Sequence, residues 1–459
     1  MPGLPKRFAD REEIAAVRAE ADQLEPAADG ATTHRLAGRV VARRDMGKLM
    51  FLDLVDRSGR IQLLVRPDEL GGVDLDLGDI VGVSGVATKT KRGEPSLVVH
   101  ELTLLGKIRS SLPDTFHGLT DIEQRYRRRY LDLLMNEESR RDALVRARMI
   151  SEIRAYLDSE GFIEVETPIL QPQYGGAFAE PFVTHSNYLD QDVYLRIADE
   201  LYLKRLIVGG LEKVYEISKD FRNESVSYKH SPEFTQLEWY EAYADYNDTT
   251  ERTEALVERA AQAAIGATKV TFRGHEIDLA RPWQRLKFVE ALEERGAWSR
   301  DPDELRAKLD AAGVDTSHDQ TWAQLVDHAY SHFVEPELIQ PTFVIDWPIE
   351  MSPFARSTDD DPALVERFET VVGGMEFANA FSELNDSAEQ AERFEMQAAE
   401  KAAGDATAEE GDPDYVEALS YGMPPTGGCG IGIDRLAMVL TGRDTIRDVI
   451  LFPALRERG

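Results

Sequence analysis

Residues 216–243, EISKDFRNESVSYKHSPEFTQLEWYEAY, read as a strand, a polar loop and a returning strand. Arg222 and Glu224 fall in the turn, His230 closes it, and Phe234 opens the second strand. A charge inside apolar strand text, taken alone, is a solvated face residue. Where several recur beside glycines that let backbone approach a ligand, a binding site is the better explanation. Here an arginine can clamp a phosphate through two parallel hydrogen bonds, and an aromatic ring can stack on a purine.

Two further segments carry the same pattern. In GGCGIGIDRLAMVLTG small residues precede Arg435 at the start of a helix, which suits a polyphosphate, although close helix packing also selects glycine. In ETVVGGMEFANAFSEL the acids Glu369, Glu376 and Glu383 stand seven apart. Hard carboxylates of this kind suit Mg²⁺, and one left over can face a cationic substrate. Cys429, beside the second segment, reads as a small packing residue rather than a nucleophile.

Around these segments the chain divides into regions. Residues 1–30 form a short helical or loose arm that ends in the breaker run PAADG. From His34 the text alternates apolar with polar residues in about five short strands, with turns at Met46-Gly47-Lys48, Arg57-Ser58-Gly59 and Arg92-Gly93. This predicts a small closed barrel such as an OB-fold over 31–110, with a sandwich of similar size as the alternative. Residues 111–137 are a basic connector holding Arg125, Arg127, Arg128 and Arg129. From 138 to 459 the expectation is an α+β domain. Leu144, Ile150, Ile153, Tyr156 and Leu157 line one face of a helix that stops at Gly161. FIEVETPIL follows as a strand broken by Pro168, and further strand-like runs occur at VYLRIA, KVYEIS, TQLEWYEAY, TFVIDW and GIGIDRL.

Composition narrows the function. The chain has 459 residues with 84 Asp plus Glu against 53 Lys plus Arg, a net charge of −31. Such a surface repels nucleic acid on average, so an RNA partner must be met by local basic runs: Arg43-Arg44, Lys89 to Arg92 and Arg125 to Arg129. A single cysteine excludes thiolate zinc clusters and intramolecular disulfides. The first residues, MPGLPKRFADREE, lack the apolar stretch of a signal peptide, and no apolar run approaches the roughly 20 residues needed to span a bilayer. A cytoplasmic location without membrane contact is expected.

Together the segments resemble the three motifs of a class II aminoacyl-tRNA synthetase: GFIEVETPIL as the first, FRNE…PEFTQLE as the second and GIGIDRL as the third. LRIADELYLKRLIVGGLEKVYEISKDFRNES, FANAFSELND and IRDVILFPALR resemble the lysyl-tRNA synthetases of subclass IIb. GRVVARRDMGKLMFLDLVDRSGRIQ is similar to their anticodon-binding OB-fold, and HGLTDIEQRYRRRYLDLL to their connector. The resemblance covers roughly residues 30 to 455. It implies an OB-fold barrel followed by a catalytic domain on a mixed, mainly antiparallel sheet flanked by helices, assembled as a homodimer with GFIEVETPIL and its preceding helix at the interface.

It also implies roles. Arg222, with Glu224 beside it, holds the α-phosphate of ATP, His230 and Phe234 border the adenine, and Arg435 grips the γ-phosphate. Glu369 and Glu376 hold Mg²⁺. Gly176, Ala177, Glu200, Glu238, Tyr240, Asn379, Phe381 and Glu383 form the L-lysine pocket, with Glu238 and Glu383 against the substrate ammonium. Arg39, Phe51 and Gln62 read the anticodon of tRNA(Lys), although spacing alone makes Phe51 a barrel-core residue. Buried carboxylates left unpaired by an uncharged amino acid favour lysine independently of the resemblance, and they argue against aspartate or asparagine as substrate. Four positions depart from the family pattern: Glu180 stands where a basic residue is usual, Asp199 where proline is common before Glu200, and Ser186 and Ser231 are similar mild changes. A catalytically inactive, synthetase-like RNA-binding protein is the competing reading.

Overall fold

The alternating text after the arm closes on itself. In the computed structural model, which describes residues 4–70, 72, 74–112, 119–177, 179–223, 225–402 and 411–456, the chain separates into two compact units, 1–121 and 122–459. In the first, strands β1 (Asp29–Met46), β2 (Leu49–Val55), β3 (Arg60–Val65), β4 (Ile80–Lys89) and β5 (Pro95–Gly106) form a closed barrel in the order β1-β2-β3-β5-β4. Leu36, Val40, Leu52, Leu54, Ile61 and Leu63 fill it. Helix α1 (Ile14–Gln23) adds Ile14, Val17 and Ala21 to the same core, so part of the N-terminal arm is packed. His34 helps to fasten this region, with Nδ1 3.0 Å from Glu12 and Nε2 3.1 Å from Glu20.

The second unit opens with α2 (Ile122–Arg127), α3 (Arg129–Met135) and α4 (Glu137–Ser159). Its basic run is not the free positive patch that the sequence suggests. Arg125 pairs with Asp132 at 2.7 Å and Glu138 at 2.9 Å, Arg127 pairs with Glu123 at 2.8 Å, and buried Arg129 pairs with Asp132 at 2.6 Å. These guanidinium groups are neutralised within the domain. On α4 the core face is Val145, Met149, Ile153, Tyr156 and Leu157, whereas Leu144 is 46% exposed. The 3.6-residue period carries Val145, not its neighbour, onto the line through Met149 and Ile153.

The next elements are β6 (Ile163–Glu164), β7 (Leu170–Gln171), β8 (Phe182–Ser186), β9 (Gln191–Leu195), α5 (Glu200–Val208), β10 (Lys213–Phe221), β11 (Glu233–Ala242) and α6 (Tyr246–Ile265). A hairpin of β12 (Lys269–Phe272) and β13 (His275–Asp278) leads to β14 (Gln284–Lys287). Helices α7 (Phe288–Glu294), α8 (Pro302–Ala311) and α9 (Trp322–Phe333) come before β15 (Thr342–Pro348), β16 (Leu364–Val371) and β17 (Glu376–Ser382). The unit ends with α10 (Ser387–Ala402), α11 (Pro413–Ser420), β18 (Thr426–Gly432), α12 (Ile433–Thr441) and α13 (Ile446–Val449). Eight strands make one sheet, β14-β15-β16-β17-β18-β11-β10-β6, antiparallel except at its two edges. FIEVETPIL is mostly not strand: only Ile163–Glu164 joins this sheet, while Leu170–Gln171 pairs with β9 in a separate three-stranded sheet that also takes the first half of VYLRIA. GIGIDRL is likewise split, its strand ending at Gly432 and its helix starting at Ile433.

Strand alternation assigns the two faces of the large sheet. Leu237 and Trp239 of β11, Ala378 and Ala380 of β17, and Cys429 and Ile431 of β18 join one core with residues of α4, α6 and α12. The residues between them face the other way, into a cavity.

Candidate functional site

That cavity measures about 580 Å³. It is lined by Gly176, Ala177, Glu200, Arg222, His230, Phe234, Glu238, Tyr240, Glu376, Asn379, Phe381, Glu383 and Arg435, thirteen of the positions singled out in the sequence. Glu369 does not line it but pairs with Arg367, which does, at 2.6 Å. Glu224 lies outside the described residues.

Glycine makes room for these side chains. A Cβ on Gly428 would stand 2.1 Å from Glu383 Oε1 and 2.4 Å from the Tyr240 ring. Gly176 has φ +86°, a conformation that favours glycine, and a Cβ there would press on Glu200 at 3.1 Å.

One end of the cavity is cationic. Arg222 donates to the Ile197 carbonyl at 3.3 Å and lies 5.2 Å over the Phe234 ring. Arg435, in the first turn of α12, bonds the Glu376 carboxylate and, at 2.9 Å, the Glu376 carbonyl. Asp434 accepts the Thr235 amide at 2.7 Å and also binds Arg146, which pins the start of α12 to β11. Lys229, which the sequence reading passed over, reaches Glu335 at 3.3 Å. Burial first, and then the Arg435 and Lys229 charges, push His230 down to about 4, so its imidazole is neutral near pH 7.

The other end is anionic. Buried Glu200, Glu238 and Glu383 line it, with Asp199, Glu216 and Asp220 buried behind. Six carboxyls face two buried cations. Arg196 binds Glu216 at 2.7 Å and Asp220 at 3.1 Å, and Lys204 binds Glu383 and, at 2.5 Å, Glu200. Burial opposes the charge of Lys204, but its carboxylate partners outweigh that and hold it protonated. Glu238 accepts from Gln236 at 2.8 Å and from Tyr240 at 3.0 Å. Desolvation lifts Glu238 well above the usual carboxylate range, and Asp199 adds to the effect. Glu383 is lifted to about 8 by burial, against the pull of Lys204. Lys204 could have been found from the sequence, because Glu200 and Lys204 stand at an i,i+4 spacing inside an apolar helix. Arg367 is also new: it contacts Asn379 at 3.1 Å and lies 4.2 Å over Trp347.

Among the described residues no group of three or more His, Cys, Asp or Glu side chains is arranged to hold a metal ion. Glu369 and Glu376 nevertheless fit Mg²⁺ as a pair. They are hard oxygen donors in mutual electrostatic contact, and burial, opposed by Arg367, lifts Glu369 to about 8. Mg²⁺ commonly takes one or two carboxylates and completes its shell with phosphate oxygens and water.

In the barrel unit, backbone pairing sets Asp53 opposite Gln62 and Val55 opposite Arg39. Alternation then places Arg39, Phe51 and Gln62 on one face, opposite to core residues Leu52, Leu54, Ile61 and Leu63. Phe51 is half-buried with Arg44 5.9 Å from its ring, so it is not the core residue that its spacing suggested. Gln62 is buried and accepts from Ser96 at 3.2 Å, and Arg39 donates to the Gly78 carbonyl at 2.7 Å. Of the other basic runs, Arg43 is paired with Asp45 at 3.0 Å and Lys89 with Asp22 at 3.3 Å. No helix among the described residues is long and apolar enough to cross a membrane.

Residues 121–456 match the family described as tRNA synthetases class II (D, K and N), and residues 34–105 match the OB-fold nucleic acid binding domain. A lysine–tRNA ligase of Carboxydothermus hydrogenoformans is 49% identical over 93% of this chain and 89% of its own length. Those of Halalkalibacterium halodurans and Azoarcus sp. are 51% and 50% identical, each over 92% of this chain and 86% of their own. With its barrel and its antiparallel catalytic sheet both in place, the chain belongs to the lysine–tRNA ligases, class II aminoacyl-tRNA synthetases with an OB-fold domain.

Proposed function

We propose that the chain activates L-lysine with ATP to lysyl-adenylate and pyrophosphate, then transfers lysine to the 3′ end of tRNA(Lys). The observation that carries this is the surplus of buried carboxyls at one end of a cavity whose other end is lined by Arg222, Arg435 and Lys229. A lysine ammonium supplies the missing positive charge, and an uncharged amino acid leaves the carboxyls unmatched.

In this reading Glu238 and Glu383 take the substrate ammonium, and Glu200, Tyr240, Asn379, Phe381, Gly176 and Ala177 shape the pocket around it. Arg222 holds the α-phosphate and Arg435 the γ-phosphate, while neutral His230 and Phe234 border the adenine. Glu369 and Glu376 would hold Mg²⁺, which when bound neutralises phosphate charge. The lysine carboxylate attacks the α-phosphate and pyrophosphate leaves; a terminal ribose hydroxyl of tRNA then attacks the activated carbonyl, and AMP leaves as the anhydride bond breaks. No covalent link to the enzyme forms, so the side chains act by positioning and by stabilising phosphate charge. Arg39, Phe51 and Gln62 read the anticodon by stacking and base-edge hydrogen bonds. The exposed Ile163, Ile169 and Leu170, at 49%, 43% and 54%, support a homodimer face at that segment. The cytoplasm is the proposed location.

Pyrophosphate exchange into ATP, run with lysine, aspartate, asparagine and arginine in turn at low and high salt, tests the reading. Exchange with lysine alone is expected. Exchange with none would leave a synthetase-like RNA-binding protein, and exchange with another amino acid would remove Glu238 and Glu383 as readers of the side chain.

A further inference from the structure

Asp199 occupies the N-cap of α5, where an aspartate ordinarily accepts hydrogen bonds from the amides of the first turn. Its side chain accepts none of them. It is fully buried, and neither carboxyl oxygen meets a donor. The group it reaches is the carboxyl of Glu238, within hydrogen-bonding range, and Glu238 lines the cavity. Among the described residues no cation forms an ion pair with Asp199, although the Arg196 charge favours its ionised form. Arg196, before α5, is engaged with Glu216 and Asp220 of β10, and Lys204 of α5 with Glu200 and Glu383. Tyr240 of β11 donates to the far side of Glu238 at 3.0 Å.

Two carboxyls in contact in dry surroundings cannot both ionise, and a hydrogen bond between them requires a proton. That proton belongs to the pair rather than to either residue. We propose that Asp199 is a positioning residue that keeps one proton on the Asp199–Glu238 pair while the pocket is empty, and that a ligand ammonium arriving at Glu238 drives this proton into solvent. One positive charge enters and one leaves, so the net charge of the site is conserved and no covalent bond other than the O–H is broken. Uptake of the cationic substrate is thereby coupled to proton release, and it tightens as pH rises. The inference rests on the reading of Glu238 as partner of the lysine ammonium.

The test is calorimetric titration of the full-length protein with lysine at about pH 6.5, where the ligand's own amines stay protonated, in two buffers of different ionisation enthalpy. The wild-type protein should release a large fraction of one proton per lysine bound. Its lysine KM in pyrophosphate exchange should fall with rising pH by up to about tenfold per unit, the limit for one linked proton. Asp199→Asn, which donates an amide N–H to Glu238, should release none and should flatten the lysine KM profile, with the KM for ATP unmoved in both proteins. Absence of proton release from the wild type would overturn the coupling whatever the variant does, as would equal release from wild type and D199N. Glu238→Gln separates the two layers. If E238Q binds lysine as tightly as wild type, the underlying reading of Glu238 fails; if E238Q weakens lysine but wild type releases no proton, only the coupling fails.

Discussion

The two ends of the cavity handle charge in opposite ways. At the Arg222–Arg435 end the sequence places cations, and burial beside them keeps His230 neutral. At the Glu238–Glu383 end carboxyls outnumber buried cations by six to two, and burial pushes Glu238 and Glu383 toward their protonated forms. A protein buries unmatched charge at considerable cost, so both ends are explained together by a ligand pair that brings the complement: polyphosphate to one, ammonium to the other. The barrel unit offers a contrast. There His34 also sits between carboxylates, Glu12 and Glu20, but the cluster supplies its own cation and holds a helix rather than a substrate.

The strongest break of this comparison is Arg222→Ala. It should lower the pyrophosphate-exchange kcat by about a hundredfold or more, the scale of losing a donor aimed at developing charge. A loss below about tenfold would take Arg222 off the α-phosphate. Next comes Glu238→Gln, expected to raise the lysine KM by about thirtyfold, as for one partner of a buried charge pair, while the ATP KM stays put. A parallel rise in both would mean that the two ends are not separate sites.

Phe51→Ala addresses the barrel. Loss of one stacking surface should raise the tRNA KM in aminoacylation by about tenfold and leave exchange untouched. Any effect on exchange would place Phe51 in folding rather than recognition. The smallest effect concerns His34. Burial opposes its charge, but hydrogen bonds to Glu12 and Glu20 prevail and hold its pKa above the ordinary value. Its contribution is therefore complete below the unfolded value, about 6.5, and is lost as pH rises through the folded one. Amides of α1 should show more protection at about pH 5.5 than at about pH 8.5 once intrinsic exchange is corrected, and His34→Gln should remove that difference. An unchanged difference in H34Q would mean that the histidine does not fasten this region.

Much of the site was legible because strand periodicity is local. On β11 the alternation of Gln236, Glu238 and Tyr240 with Leu237 and Trp239 separates ligand face from core face in the text itself. The same holds for Gly428 and Gly430 against Cys429 and Ile431 on β18. The α4 face was harder: a one-residue slip separates Leu144 from Val145, and only packing distinguishes them. The basic runs misled for a related reason. Charge can be counted in sequence, but whether Arg125 or Arg129 faces solvent or Asp132 depends on how α2 and α3 fold back on each other.

Sequence by itself determined the barrel strands and the three ligand-bearing segments, since these follow from periodicity and from residue types at fixed spacing, while the antiparallel catalytic sheet and the acidic pocket were legible only through the resemblance to class II synthetases. Tertiary structure alone decided which charges meet. Lys204 meets Glu383, and Asp199 turns from its own helix toward Glu238, because residues far apart in the chain converge where water is excluded. In that low-dielectric space the partner, not the residue type, sets whether a carboxyl is charged.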